Sequence, residues 1–193
     1  MTEPTTLAPV QIPPVEKLLN PLALGGSLFG ADPWDQQRAE LAAMLEAALQ
    51  NDLNHLDTAS GYGGGQSEQL LGEFLAGRRE QVFLASKADL DQMDAGLMLE
   101  KVNQSLARLQ TDVIDLYYIH WPRRGKDLRP LMEGLELARQ QGKIRAIGVS
   151  NFSVAQMEQL GLPSTSSRAI PLPTARPIKS PPNCMMPGSI YGF

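Results

Sequence analysis

Short apolar runs alternate with longer segments of helical periodicity between Pro21 and Leu160. The apolar runs predict five strands, at residues 22–25, 55–57, 82–86, 113–119 and 145–149. The amphipathic segments predict helices at about 35–51, 67–75, 94–109, 128–141 and 153–160. Strands and helices that alternate in this way form a parallel sheet covered by helices. We therefore predict an α/β fold built from five βα units in chain order.

The composition changes abruptly after residue 162. The segment 163–193 holds seven of the fifteen prolines and three basic residues, and it contains no Asp or Glu. We predict that this segment is a disordered tail or the product of out-of-frame translation. The first residues are rich in Pro and Thr and have weak structural signals. The predicted organisation is an N-terminal extension at 1–19, a folded unit at 20–162 and the tail at 163–193.

Charge and cysteine content argue against several classes of protein. The net charge of −4 at pH 7 and the pI near 5.2 do not favour nucleic-acid binding. No apolar run approaches the ~18 residues that a membrane span needs, and the residues after Met1 do not resemble a secretory signal. One cysteine, Cys184, and two histidines, His55 and His120, exclude an internal disulfide framework and argue against a metal cluster. We expect a cytoplasmic protein without membrane or nucleic-acid partners.

Polar side chains stand where successive predicted strands end. They are Asp57, Tyr62 in the loop that follows, Lys87, His120, Ser150 and Asn151. In a parallel sheet the C-terminal ends of the strands meet at one edge, where the βα loops bind ligands. We therefore expect these side chains to lie close together.

These residue types suit one kind of chemistry. A phenol has a reference pKa near ~10, and a neighbouring lysine ammonium, held by an aspartate, favours its ionised form. A neutral histidine can donate a hydrogen bond that orients a carbonyl oxygen. The set therefore suits protonation of a carbonyl oxygen while a hydride reaches the carbon. Ser150 and Asn151 could bind a carboxamide such as that of nicotinamide.

Each of these residues also has an ordinary structural explanation. Asp57 could be a turn or cap residue, Lys87 a solvated strand end, Tyr62 a surface aromatic and His120 a packed histidine. Their joint placement at successive strand ends favours a site. The turn at 61–65 could suggest a phosphate-binding loop, but Gln66 stands where a Rossmann fingerprint needs its third glycine, so a Rossmann domain is the weaker interpretation.

Five ordered motifs carry a family resemblance. They are DTASGYG at 57–63, GQSE at 65–68, VFLASK at 82–87, IDLYYIHWP at 114–122 and GKIRAIGVSNF at 142–152. Through these motifs, residues 20–160 resemble the first five βα units of an aldo-keto reductase. The resemblance implies a partial TIM (β/α)₈ barrel of about five units, a small-molecule carbonyl substrate, NADP(H) as cofactor and no metal.

The resemblance also implies roles for particular residues. Tyr62 is the expected general acid, Lys87 and Asp57 tune it, and His120 orients the carbonyl group. Trp121 is a candidate wall of the substrate pocket.

The expected cofactor contacts come from three loops. Asp57 lies near the nicotinamide ribose, and Ser150 and Asn151 contact the carboxamide. Gly26 and Ser27, after the first strand, lie beside the cofactor, although Gly26 replaces the more usual threonine.

The resemblance stops after Leu160, and three further units of the barrel have no counterpart. We therefore expect a truncated or frameshifted NADP-dependent reductase with impaired activity. Two alternatives remain open: a non-catalytic regulatory or binding subunit on the same fold, and a non-functional remnant. The motifs do not distinguish particular substrates or oligomeric states.

Overall fold

A parallel sheet of five strands, preceded by an antiparallel hairpin, forms the framework of the protein in a computed structural model that describes residues 8–29 and 34–160. The hairpin and the sheet comprise β1 (Val10–Gln11), β2 (Leu18–Leu19), β3 (Ala23–Gly25), β4 (His55–Asp57), β5 (Phe83–Ala88), β6 (Ile114–Ile119) and β7 (Ile144–Val149). Each strand of the sheet pairs with the next one in sequence. The prediction of a parallel, partial TIM-barrel α/β fold is therefore confirmed.

Helices connect the strands of the sheet as their periodicity predicts. They are α1 (Trp34–Gln50), α2 (Gln66–Leu75), α3 (Ala95–Leu109), α4 (Arg129–Gln140) and α5 (Val154–Gln159). Two caps explain where helices begin. The Asp94 side chain accepts from the backbone N of Leu97, and Ser153 and Gln156 form a reciprocal capping box at the start of α5.

The sheet buries different clusters on its two faces. The larger cluster lies between the sheet and the helices and includes Leu71, Leu84, Met98, Tyr117 and Leu135. The smaller cluster lies on the other face, where strand residues pack against the hairpin. Its buried members are Val15, Leu19, Phe83, Ala85, Leu116 and Ala146. Side chains of alternate strand residues therefore reach two separate apolar layers.

The hairpin is ordered structure within the region that has weak signals in the sequence. Val15 and Leu19 are each 1% exposed, and the Lys17 ammonium donates to the carbonyl oxygen of Val82 at 2.7 Å. Strands of two residues are too short to produce a detectable alternation, so the sequence pattern does not predict the pairing of β1 with β2. The hairpin closes the end of the sheet opposite the predicted site.

Three further sequence predictions concern the tail, membrane spans and metal clusters. The predicted tail at 163–193 lies outside the described residues. Within residues 8–29 and 34–160, no helix has both the length and the apolar character needed to cross a bilayer. The same part of the chain contains no group of three or more His, Cys, Asp or Glu residues suited to hold a metal ion.

Candidate active site

Backbone hydrogen bonds continue from strand to strand beyond the regular ladder and align the ends of β4 to β7. The N–H groups of Ser60, His120 and Ser150 donate to the carbonyl oxygens of Lys87, Ala88 and Ile119, at 2.8, 3.0 and 2.9 Å. This alignment brings the predicted polar residues to one edge of the sheet. The expectation that the strand ends converge is met at Asp57, Lys87 and His120.

A buried ion pair forms the base of the site. The Lys87 Nζ lies 2.7 Å from Asp57 Oδ2 and donates to the carbonyl oxygen of Thr58 at 2.9 Å. Lys87 is 5% exposed and Asp57 is 7% exposed. The other carboxylate oxygen, Asp57 Oδ1, is buried without a hydrogen-bond partner in the described part of the chain. A buried carboxylate oxygen of this kind can accept a hydrogen bond from a ligand.

Tyr62 lies above this ion pair because the chain turns tightly after β4. Gly63 and Gly64 have φ angles of 55° and 65°, a left-handed conformation that glycine adopts without steric cost. The turn places the half-buried Tyr62 ring so that its centroid is 5.2 Å from Lys87 Nζ. The lysine charge therefore faces both the Asp57 carboxylate and the phenol.

His120 and Trp121 extend the site toward solvent. The His120 and Tyr62 rings meet edge to face, with centroids 5.7 Å apart and an interplanar angle of 79°. The Trp121 ring lies 5.8 Å from His120 and is 49% exposed. His120 Nδ1 is also 3.4 Å from Asp89 Oδ2, a contact that has no counterpart among the sequence predictions.

Ser150 and Asn151 lie beside His120 at the end of β7. The Asn151 side-chain nitrogen donates to the carbonyl oxygen of His120 at 2.9 Å and to Ser150 Oγ at 3.0 Å. These two bonds use both amide hydrogens of Asn151 and fix the orientation of its side chain. The amide oxygen of Asn151 remains the group suited to accept a hydrogen bond from a carboxamide.

The loop after β3 is tied to the same edge. The Gly26 N–H donates to the carbonyl oxygen of Asp57 at 2.7 Å, and its own carbonyl oxygen accepts from Ser67 Oγ at 3.0 Å. A Cβ at Gly26 would lie 2.7 Å from Ser67 Oγ, which explains the glycine at this position. The backbone groups of Gly26 thus bind protein atoms, and Ser27, the next residue, is exposed at the same edge.

Three residues around the site are not among the predicted site residues: His55, Asp89 and Tyr118. Burial is the main cause that raises the pKa of Tyr118, and Asp57 adds to it. Tyr118 lies near the ion pair, with its ring centroid 6.0 Å from Lys87 Nζ. His55 precedes Asp57 by two residues, and a period of two places both on one face of a strand, so this signal could have identified it.

A family profile supports the same interpretation. The profile described as "Aldo/keto reductase family" matches residues 21–174, which extends past the boundary at 162 that composition predicts.

Similar sequences and structures are reductases of this family. The aldo-keto reductase YhdN of Bacillus subtilis is 40% identical over 168 residues, covering 80% of this chain and 47% of that protein. The methylglyoxal reductase YeaE of Escherichia coli is 36% identical over 135 residues, covering 70% of this chain and 47% of that protein. The chain therefore spans about half the length of these relatives.

Solved structures agree in fold. A thermostable aldo-keto reductase, Tm1743, superimposes with a TM-score of 0.73 at 32% identity, covering 80% of this chain and 57% of that chain. An aldo-keto reductase from Klebsiella pneumoniae, solved with NADP and acetate, gives a TM-score of 0.69 at 33% identity, covering 75% of this chain and 50% of that chain. The sequence match, the sheet topology and the ordered strand ends agree, and the chain belongs to the aldo/keto reductase family.

Proposed function

We propose that this chain carries the acid–base half of an NADP(H)-dependent site that reduces aldehydes or ketones to alcohols. One observation carries the proposal. The Lys87 ammonium lies between the buried Asp57 carboxylate, at 2.7 Å, and the Tyr62 ring, whose centroid is 5.2 Å away. A fixed positive charge beside a phenol stabilises the phenolate that remains after proton donation.

The proposed reaction is a proton transfer coupled to a hydride transfer. Tyr62 donates its hydroxyl proton to the carbonyl oxygen, so the O–H bond of the phenol breaks and that of the alcohol forms. A reduced nicotinamide held at the strand ends would supply the hydride for the carbonyl carbon. Lys87 stabilises the Tyr62 phenolate, and Asp57 holds the Lys87 ammonium in place. His120, in edge contact with Tyr62, orients the carbonyl oxygen.

The residues at the strand ends fit a nicotinamide nucleotide. Asp57 Oδ1, which has no hydrogen-bond partner among the described residues, suits a ribose hydroxyl, and the Asn151 amide oxygen with the Ser150 hydroxyl suits the carboxamide. Ser27 extends this contact along the edge. The proposal of NADP(H) rather than another nucleotide also draws on the Klebsiella pneumoniae relatives, whose structures contain NADP or NADPH.

The proposed substrates are small carbonyl compounds. Relatives of this chain include a methylglyoxal reductase and a glyoxal reductase, from Escherichia coli and Bacillus subtilis. Trp121, half exposed beside His120, would form one wall of the substrate pocket.

The test is NADPH oxidation by the purified chain with methylglyoxal, followed by absorbance. Tyr62→Phe should lower kcat by at least about 10²-fold, because it removes the general acid but keeps the ring. Tyr117→Phe is the matched control, since that phenol bonds to Ser105 Oγ at 2.9 Å on the helix side of the sheet. Equal activity of Tyr62→Phe and wild type would refute the proposal, and NADPH binding without turnover would favour a binding subunit. The same assay tests the prediction of impaired activity.

A further inference from the structure

Asp89 lies on the rim of the site, two residues after Lys87. Its Oδ2 is 3.4 Å from His120 Nδ1. Its other oxygen, Oδ1, is buried and has no hydrogen-bond partner in residues 8–29 and 34–160. The side chain as a whole is 34% exposed. The carboxylate therefore points one oxygen at the imidazole and does not serve a helix cap or a turn within the described structure.

Neighbouring charges leave this contact intact. Arg123 is one of three basic residues in the adjacent loop, with Arg124 and Lys126, and it bonds to the carbonyl oxygen of Leu90 at 3.0 Å and to Asp91 Oδ1 at 3.1 Å. Among the described ion pairs, none joins any of these three residues to Asp89. On its other side, His120 faces the Tyr62 ring. The imidazole is thus the group toward which the Asp89 carboxylate is directed.

We propose that Asp89 is a positioning residue for His120: its carboxylate accepts a hydrogen bond from Nδ1–H and so presents Nε2 to the substrate oxygen. A carboxylate that binds one ring nitrogen of a histidine fixes both its tautomer and its orientation. The contact requires only a small closure from 3.4 Å, and Asp89 Oδ2 is a pure acceptor when ionised.

The tautomer has a consequence for the reaction, and this consequence rests on the proposed function. A neutral ring with its proton on Nδ1 has a lone pair at Nε2, so it accepts a hydrogen bond from an alcohol hydroxyl. The ring donates from Nε2 to a carbonyl oxygen only when it carries both protons. The contact with Asp89 would therefore make the neutral His120 ring an acceptor toward the product alcohol, whereas the residue types alone suggest a neutral donor.

The test is ¹⁵N NMR of the histidine-labelled chain, without cofactor or substrate, at an alkaline pH where the imidazoles are neutral. The chain contains two histidines, so His120→Gln assigns the signals of both. We expect wild-type His120 to show a protonated Nδ1 and an unprotonated Nε2. Asp89→Ala should move the proton toward Nε2, as in a free histidine side chain. Asp91→Ala is the matched control, because it removes a carboxylate that is 93% exposed on the same loop, and it should leave the spectrum unchanged.

Three results would overturn the proposal: a wild-type His120 protonated mainly at Nε2, an Asp89→Ala spectrum identical to wild type, or the same change in Asp91→Ala. The result does not depend on turnover. A chain that keeps the Nδ1–H tautomer but fails to oxidise NADPH would refute the proposed function and leave the role of Asp89 intact.

Discussion

Lys87 Nζ and Asp57 Oδ2 lie 2.7 Å apart at the ends of the neighbouring strands β5 and β4, and their side chains are 6% and 9% exposed. Removing two charges from water is costly, and only their mutual attraction and further hydrogen bonds compensate for it. Here Lys87 also donates to the carbonyl oxygen of Thr58. The pair therefore links the stability of the sheet edge to the charge that the proposed reaction uses.

Lys87→Met should lower the free energy of unfolding by about 3–5 kcal/mol, because it leaves the Asp57 carboxylate buried without its partner. The double variant Lys87→Met/Asp57→Asn should recover part of that loss, since no charge is then left uncompensated. Urea unfolding followed by tryptophan fluorescence measures both values.

The exposed pair Arg129–Asp127 provides the control, with Nη2 and Oδ2 also 2.7 Å apart. Arg129→Met should leave the unfolding midpoint unchanged within error, because water screens exposed charges. Equal destabilisation by Lys87→Met and Arg129→Met would show that burial of the Lys87–Asp57 pair has no energetic consequence.

The parts of this fold that follow from local sequence are those with a strong period. Alternating strand and helix patterns predict all five strands of the sheet. Because the strands of a parallel sheet all end at the same edge, the pattern also predicts that Asp57, Lys87 and His120 meet there. The hairpin is not predictable in this way, since Val15 packs in a cluster that includes Phe83 and Leu116, on strands that lie far away in sequence. The Asp89 contact likewise depends on loop geometry, which no period encodes.

Asp115 is a second buried carboxylate. In the sequence it is visible only as the one charged residue within the apolar run that forms β6. Its side chain is fully buried and accepts from Arg79 Nη2 at 2.8 Å, Arg145 Nη1 at 2.7 Å and the backbone N of Leu84 at 2.9 Å. The Lys17 ammonium is 3.7 Å away. One carboxylate thus joins β6 to β5, to β7 and to the hairpin.

Asp115→Asn should lower the free energy of unfolding by about 3 kcal/mol, because it removes the anion that compensates several partly buried cations. Thermal unfolding followed by circular dichroism measures the change. Asp112→Asn, at an exposed position in the preceding turn, is the control and should leave the midpoint unchanged. Equal shifts in the two variants would contradict the proposed role of the cluster.

Gly72 allows α2 to pack against the end of α3. A Cβ at this position would lie 2.5 Å from the carbonyl oxygen of Arg108 and 2.8 Å from the carbonyl carbon of Leu109. Alanine normally stabilises a helix by about 1 kcal/mol relative to glycine. Gly72→Ala should instead destabilise the protein by about 1–3 kcal/mol, because the backbone of α3 must move away.

Chemical denaturation shows whether Gly72→Ala raises or lowers the free energy of unfolding. Gly61→Ala serves as the control, since its φ of −91° suits alanine and no atom lies within 4 Å of the added Cβ. We expect Gly61→Ala to change the free energy of unfolding by no more than about 0.5 kcal/mol. A stabilised Gly72→Ala variant would mean that the two helices are not in close contact in solution.

His55 makes the stability of the protein depend on pH. It is 3% exposed, and burial, as the largest cause, lowers its pKa to about 4, with the Lys87 charge contributing in the same direction. An unfolded chain binds this proton near pH ~6.5, so between pH ~6.5 and ~4 the unfolded state binds more protons than the folded one. The free energy of unfolding therefore decreases as the pH falls from ~6.5 to ~4, because the folded protein keeps the His55 ring neutral while the unfolded chain takes up the proton.

Between pH ~7.5 and ~5, this group alone should lower the free energy of unfolding by about 2 kcal/mol. His55→Gln cannot take up the proton, so the variant should lose that part of the pH dependence while keeping the part due to carboxylates. Urea unfolding gives the free energies of unfolding of wild type and His55→Gln at both pH values. The contribution of His55 is the amount by which the difference between the two proteins changes from one pH to the other. If that difference is the same at both pH values, the folded His55 binds its proton as readily as the unfolded one, and the imidazole is hydrated in solution.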